Sequence, residues 1–295
     1  MTWVAIASIL ITATLRAATP LILAALGGIF SERSGVVNIA LEGIMLVGAF
    51  MAVYTSHVTG SAWLGVLGGA LSGVALASLH AVASIRFRAN QVVSGVALNL
   101  LAVGFTDFML NKIWGQAGGT PSVAKIPDVM GLNLFVYGAF ALAIISHWAL
   151  WKTSWGLRLR AVGEHPLAAD TVGVNVAAMR YWGVLLSGFL AGLAGASLSI
   201  GLLSRFVHGM SAGKGFIALA AVIFGKWNPL GAVLATLLFG ASESLGTFFQ
   251  ALGVQSIPNQ FFSMAPYVLT MLALAGFVGR STPPAASGLP YEKSH

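Results

Sequence analysis

Residues 31 to 50 read SERSGVVNIALEGIMLVGAF, and within that apolar run stand an amide and a carboxylate, Asn38 and Glu42. Four residues apart, they share one face of a helix and stack one turn apart. A carboxylate there can carry a proton, line a route for a polar solute, or anchor the helix. An ionised carboxylate at membrane depth costs at least ~2.5 kcal/mol, so Glu42 faces protein or water and not lipid. Because it lies only about two turns past the Glu32-Arg33 pair, a place at headgroup level near one end of its helix fits the spacing equally well.

Other polar residues interrupt apolar stretches in the same way. Gln91, Gly95, Asn99 and Thr106 fall on one helical face, which points at a cavity or at a neighbouring helix. In the second half Ser242 and Glu243 are adjacent, and Glu243 has no basic residue at helical spacing, leaving Arg16 or another subunit as its partner. Asn38, Glu42, Gln91, Asn99, Ser242 and Glu243 are therefore the candidates for a polar pathway. Familiar catalytic chemistry is missing. The six histidines are never at metal-ligand spacing with one another or with acids, cysteine is absent, and no His-Glu-x-x-His, Gly-x-Ser-x-Gly or nucleotide-binding Gly-x-x-x-x-Gly-Lys occurs. No cofactor or metal is expected, and a chain that cannot bind ATP needs another protein as its motor if nucleotide drives it.

The elements that must position these residues are membrane spans. Of the 295 residues 57% are apolar and 8% charged, mean hydropathy is +0.88, and glycine occurs 36 times. That composition is a polytopic all-α membrane protein. Spans are expected at about 3–29, 36–54, 62–85, 92–110, 134–151, 181–205, 215–226, 229–250 and 263–280, nine segments in one domain over 1–280. Arg16 falls inside the first, which is expected to be a single kinked helix although Thr19-Pro20 could restart one. Gly65, Gly69, Gly73, Ala77 and Ala81 form a four-residue ridge on the third that lets another helix come close. The stretch 215–226 is too short to cross alone and reads as broken, tilted or re-entrant. The tail from Ser281, with Pro283 and Pro284, reads as disordered.

The connection 152–180 reads as one or two short helices outside the bilayer, with Pro166 starting a helix and Gly173 stopping it. If it is cytoplasmic and the spans alternate, Arg33, Arg86, Arg88, Lys152, Arg158, Arg160, Arg180, Lys226, Arg280 and Lys293 lie inside. Lys112, Lys125, Arg205 and Lys214 lie outside, and the imbalance places the C-terminus in the cytoplasm. The net charge of +7 thus reports topology and not nucleic-acid binding. A shift of 178 positions lays Gly35 and Ile39-Ala40-Leu41 on Gly213 and Ile217-Ala218-Leu219, and a shift of 166 lays Leu64-Gly65 on Leu230-Gly231. Five spans precede the second copy, so the halves, about 3–110 and 181–280, form an inverted repeat of the kind that places a transport site near the midplane.

ERSGVVNIALEGIMLVGA at 32–49, NQVVSGVALNLL at 90–101 and RAVGEHPLAADTVGVNV at 160–176 resemble the permease subunits of bacterial ABC importers of the branched-chain amino acid and simple-sugar class, nucleoside-type branch. The resemblance implies a type II importer fold in the plasma (inner) membrane. It also implies a second homologous permease, ATP-binding cassette ATPase domains in one chain or two, and an extracytoplasmic substrate-binding lipoprotein. It assigns Glu164, His165, Pro166, Ala169 and Gly173 to the segment that docks into the ATPase. Its substrates include nucleosides, with sugars or flavins as alternatives; a proton-coupled secondary transporter is the rival mechanism.

Overall fold

A computed structural model of the chain describes residues 3–115, 118–251, 264, 268 and 281–293. It is helical almost throughout, and among the described residues seven helices are long and apolar enough to cross a membrane. The ninth expected span, 263–280, lies outside the described residues except at 264 and 268.

α1 runs unbroken from Trp3 to Arg33 with Pro20 inside it, so Thr19-Pro20 does not restart a helix. The Thr19 hydroxyl instead donates to the Leu15 carbonyl at 2.7 Å. α2 starts at Leu41, not near 36, and continues to Thr59. Gly35 sits at φ +91°, where an L side chain is strained, and residues 36–40 then run as irregular chain. α3 (Ala62–Ala81) continues as a π-helical turn to Arg86, and α4 spans Gln91–Trp114 behind an Asn90 cap. A two-residue hairpin, β1 (Asp128–Val129) and β2 (Leu132–Asn133), leads into α5 (Leu134–Lys152). Two short helices follow, α6 (Ser154–Glu164) and α7 (Pro166–Thr171); Pro166 occupies the first turn of α7, and Gly173 beyond it has φ +83°. α8 (Val176–Ala196) extends through a π-helical stretch to Leu203, α9 is the short Lys214–Phe224, and α10 covers Pro229–Ala251.

The core is the packing of α1, α2, α3 and α8, with α10 laid along α1. α1 packs on α10 and α9 much as α8 packs on α3 and α2, the pairing required if α1, α9 and α10 occupy the places of α8, α2 and α3 in an exchanged copy. Contact is backbone to backbone where α2, α3 and α8 meet. A Cβ on Gly48 would lie 2.7 Å from the Gly192 carbonyl oxygen, and one on Gly69 would lie 2.8 Å from that of Gly48. The ridge anticipated on the third span is buried here from Gly65 to Ala81. In lipid, where helix association depends on dispersion and not on the hydrophobic effect, such close approach is the main source of attraction.

The described part of the tail, 281–293, is not disordered. Residues 281–293 lie against the end of the bundle where α1 finishes: Ala286 N–H donates to the Gly163 carbonyl at 2.9 Å and Gly288 N–H to that of Gly35 at 3.2 Å. Composition misleads there because a proline- and glycine-containing strand can satisfy its amides on another segment's backbone instead of forming its own helix.

Gly73 faces the Gly188 carbonyl and Gly192, whereas a Cβ on Gly104 meets nothing within 4 Å. Gly73→Leu should therefore cost at least about 2 kcal/mol through overpacking, while Gly104→Leu is neutral; thermal unfolding of the purified chain in detergent distinguishes them.

Candidate functional site

The Glu42 carboxylate accepts the Gly213 N–H on one oxygen at 2.8 Å and the Gly215 N–H on the other at 2.7 Å. It caps α9 from the first turn of α2. Both helices begin here, so two N-termini with their positive dipole ends meet on one negative charge. α9 is 11 residues long and its far end turns at Lys226-Trp227, beside the end of α1, so the junction lies about 16 Å from that end of the bundle. Ser187 and Asn99, which touch the same region, are eleven and eight residues along α8 and α4 and give about 16 and 12 Å. By these lengths the junction lies two to three helical turns inside the bundle from that end.

The chain that leads to this junction from the α1 end carries unpaired backbone groups that lipid could not serve. Side chains from α3 and α4 serve them. Gln91 Oε1 accepts the Val37 N–H at 2.7 Å, and His80 Nε2 lies 3.0 Å from the Val37 carbonyl. Asn99 accepts the Gly43 N–H at 2.8 Å and donates to the Ile39 carbonyl at 3.1 Å. Asn38 turns back to accept the Ala40 N–H at 3.1 Å and donates to Ser187 Oγ at 2.9 Å. Asn38, Gln91 and Asn99 are thus gathered around one stretch of backbone. The structure adds His80 and Ser187 to them; His80 was detectable as the one polar residue on the buried Gly73-Ala77-Ala81 ridge.

Loop 204–213 approaches the junction from the opposite end and is held differently, by the backbone of 118–126. Thr120 N–H donates to Phe206 O at 3.0 Å, Val123 N–H to Ser204 O at 2.7 Å, and His208 N–H to Gly118 O at 2.9 Å. Glu243 is engaged by Lys214, whose ammonium lies 2.7 and 2.9 Å from its two oxygens. The pair shares a cavity of about 290 Å³ between α1 and α10 with Arg16, Pro20, Leu202 and Thr247. Arg16 pairs with Asp128 at 3.6 Å and donates to Gly131 O at 2.9 Å, so it is anchored to the hairpin before α5 and not to Glu243. Ser242 is buried, its hydroxyl donating to Leu238 O within α10.

At the α1 end a second cluster forms. Arg33 lies 3.6 Å from Glu164, donates to Trp227 O at 3.0 Å and to Lys226 O at 3.3 Å, and stacks on Trp151, whose ring Arg160 also covers at 4.1 Å. Glu32 receives the Trp227 indole N–H. One guanidinium thereby ties the end of α6 to the α9–α10 turn. His165 is exposed, Pro166 half-buried and Ala169 buried, while Leu167 and Val172 stand 53% and 78% exposed around α7.

The family model described as the permease component of branched-chain amino acid transport systems matches residues 10–274. The chain is 48% identical to the guanosine ABC transporter permease protein NupQ of Bacillus subtilis, over 98% of each chain. It is 46% identical to the nucleoside ABC transporter permease protein NupC of Lactococcus lactis, over 94% of each. TsgC13 of Haloferax volcanii, provisionally named a glucose ABC transporter permease protein, is 38% identical over 92% of each. No solved structure matches.

Removing the Asn99 side chain strands the Gly43 N–H and the Ile39 carbonyl away from water, at about 1–3 kcal/mol for each buried group. Asn99→Ala should therefore lower the unfolding temperature markedly, and Asn111→Ala, which removes an exposed bond to its own helix, should leave it unchanged.

Proposed function

The chain belongs to the family of branched-chain amino acid transport system permease components, and from that premise we propose that it carries a nucleoside into the cell as one of two permeases in an ATP-driven importer. As a permease component it is a multi-pass membrane subunit of an ABC transporter and not an enzyme; hydrolysis belongs to a partner ATPase. The observation that carries the cargo assignment is near-full-length similarity to permeases named for guanosine and nucleosides. The proposed partners are a homologous permease, ATPase domains and an extracytoplasmic binding lipoprotein. The proposed site is a bacterial plasma membrane with the α1 end and the C-terminus cytoplasmic, as the clustering of Arg33, Arg88, Arg160, Arg180 and Lys226 at that end supports.

In this reading the cavity between α1 and α10 is the outer part of the route. An apolar wall of Pro20, Leu198 and Leu202 suits the face of a base, and Glu243 with Ser244 and Thr247 suits hydroxyls. Ser242 stands next to that wall on α10. Asn38, Glu42, Gln91 and Asn99 hold the paired half-helices that border the route. Glu164, His165, Pro166, Ala169 and Gly173 form the ATPase-coupling segment. A push on α7 reaches Arg33 through Glu164, and from Arg33 the α9–α10 turn, so that α9 moves against Glu42 and the passage alternates.

Reconstitution in proteoliposomes with both permeases, the ATPase and the binding protein should give nucleoside uptake that requires ATP and every component. Uptake by this chain alone on a proton gradient would instead establish a secondary transporter. Within the working complex, Glu243→Gln should lower uptake about tenfold, a barrier of about 1.4 kcal/mol, with assembly intact.

A further inference from the structure

The coupling segment does not hold itself in place. α7 has six residues, and the small apolar core beneath it consists of Val162, Ala169 and Val176. That core is completed from outside, by Tyr291 of the C-terminal segment. The same segment bonds to the coupling segment along its length. Ala286 N–H donates to Gly163 O at 2.9 Å, Ala285 N–H to Glu164 Oε2 at 3.1 Å, and Lys293 lies 3.7 Å from Asp170.

It is also fixed to the spans. Arg180, the largest fully buried side chain among the described residues, donates from Nη1 to the Leu289 carbonyl at 2.9 Å. Its other terminal nitrogen borders Gly35, where a Cβ would approach it to 3.1 Å and the Ala286 carbonyl to 3.3 Å. A buried guanidinium, the start of α8, the turn after α1 and the strap are packed at one point. Withdrawing the strap would take from that cation its carbonyl partner.

We propose that residues 284–293 are a permanent positioning strap of the coupling machinery: they stay docked through the transport cycle and hold α6 and α7 at the angle from which Glu164 engages Arg33. This rests on the importer reading, and touches no cargo. Tyr291 and Arg180 are its positioning residues.

The test uses the complete reconstituted transporter. Truncation after Pro283, and separately Tyr291→Ala, should leave both permeases and the ATPase co-purifying, while uptake per ATP hydrolysed falls about tenfold or more, within the usual range of inter-site coupling. Because the chain has no native cysteine, Asp170→Cys with Lys293→Cys can be joined by a short bifunctional thiol reagent, and the cross-linked transporter should keep the uptake of the unlinked one. Full uptake per ATP in both strap variants, or a block on cross-linking, overturns the strap while the full-length complex still imports. Failure of the unmodified complex to import with ATP would instead overturn the importer reading on which the strap depends.

Discussion

Non-helical backbone inside a bundle of apolar helices must find its hydrogen-bond partners within the protein, and this molecule contains two such stretches meeting near its middle. Residues 34–40 enter from the end where α1 stops, and 204–213 from the end where α8 stops. They deliver the N-termini of α2 and α9 to a single carboxylate, Glu42. Each arriving helix presents unpaired N–H groups and a partial positive charge; hydrocarbon can satisfy neither, so the position of an acid there follows from the geometry.

The two stretches are satisfied by unlike means. The first uses side chains reaching across from α3 and α4, with Ser187 of α8 holding Asn38, which accounts for polar residues spaced along otherwise apolar helices. The second relies mainly on the backbone of 118–126, with the Thr120 hydroxyl and Glu42 accepting two of its N–H groups; a Cβ on Gly119 would stand 2.9 Å from the Phe206 carbonyl oxygen. Around both, the glycine contacts of α2, α3 and α8 make a dense frame, against which α9, at 11 residues, is the short apolar helix among the described residues. At the α1 end, Arg33 and the strap join that element to the exposed α7. A dense frame, a short half-helix and a handle at one surface are the parts an alternating pathway needs.

Much of this was legible in the residues. Periodicity marked the ridge on α3, length marked 215–226 as too short to cross, and Pro166 with Gly173 framed a short helix. The shared face of Asn38 and Glu42 pointed to something at that position, but not to what. Asn38, Gln91 and Asn99 look alike as pathway lining and as hydrogen-bonding support, because both uses demand a polar group on a buried face; only the partner backbone distinguishes them. Glu243 had no basic neighbour at helical spacing because Lys214 comes from another helix. The start of α2 was misplaced by five residues since Val36, Val37 and Ile39 continue the apolar pattern after the helix has given way to extended chain. The order of the strap is not visible in its own residues because it comes from groups distant in sequence, the backbone at 35 and 163 and the side chains of Glu164 and Arg180.

The central claim is that α2 and α9 are reached from opposite faces of the membrane and meet N-terminus to N-terminus inside it. A chain with no native cysteine allows a direct test: His165→Cys lies beside the segment that packs on the first stretch, and His208→Cys lies within the second. In oriented vesicles a membrane-impermeant thiol reagent applied from one side should label one of these and not the other, with the pattern reversed from the other side. Labelling of both from the same face would contradict the account.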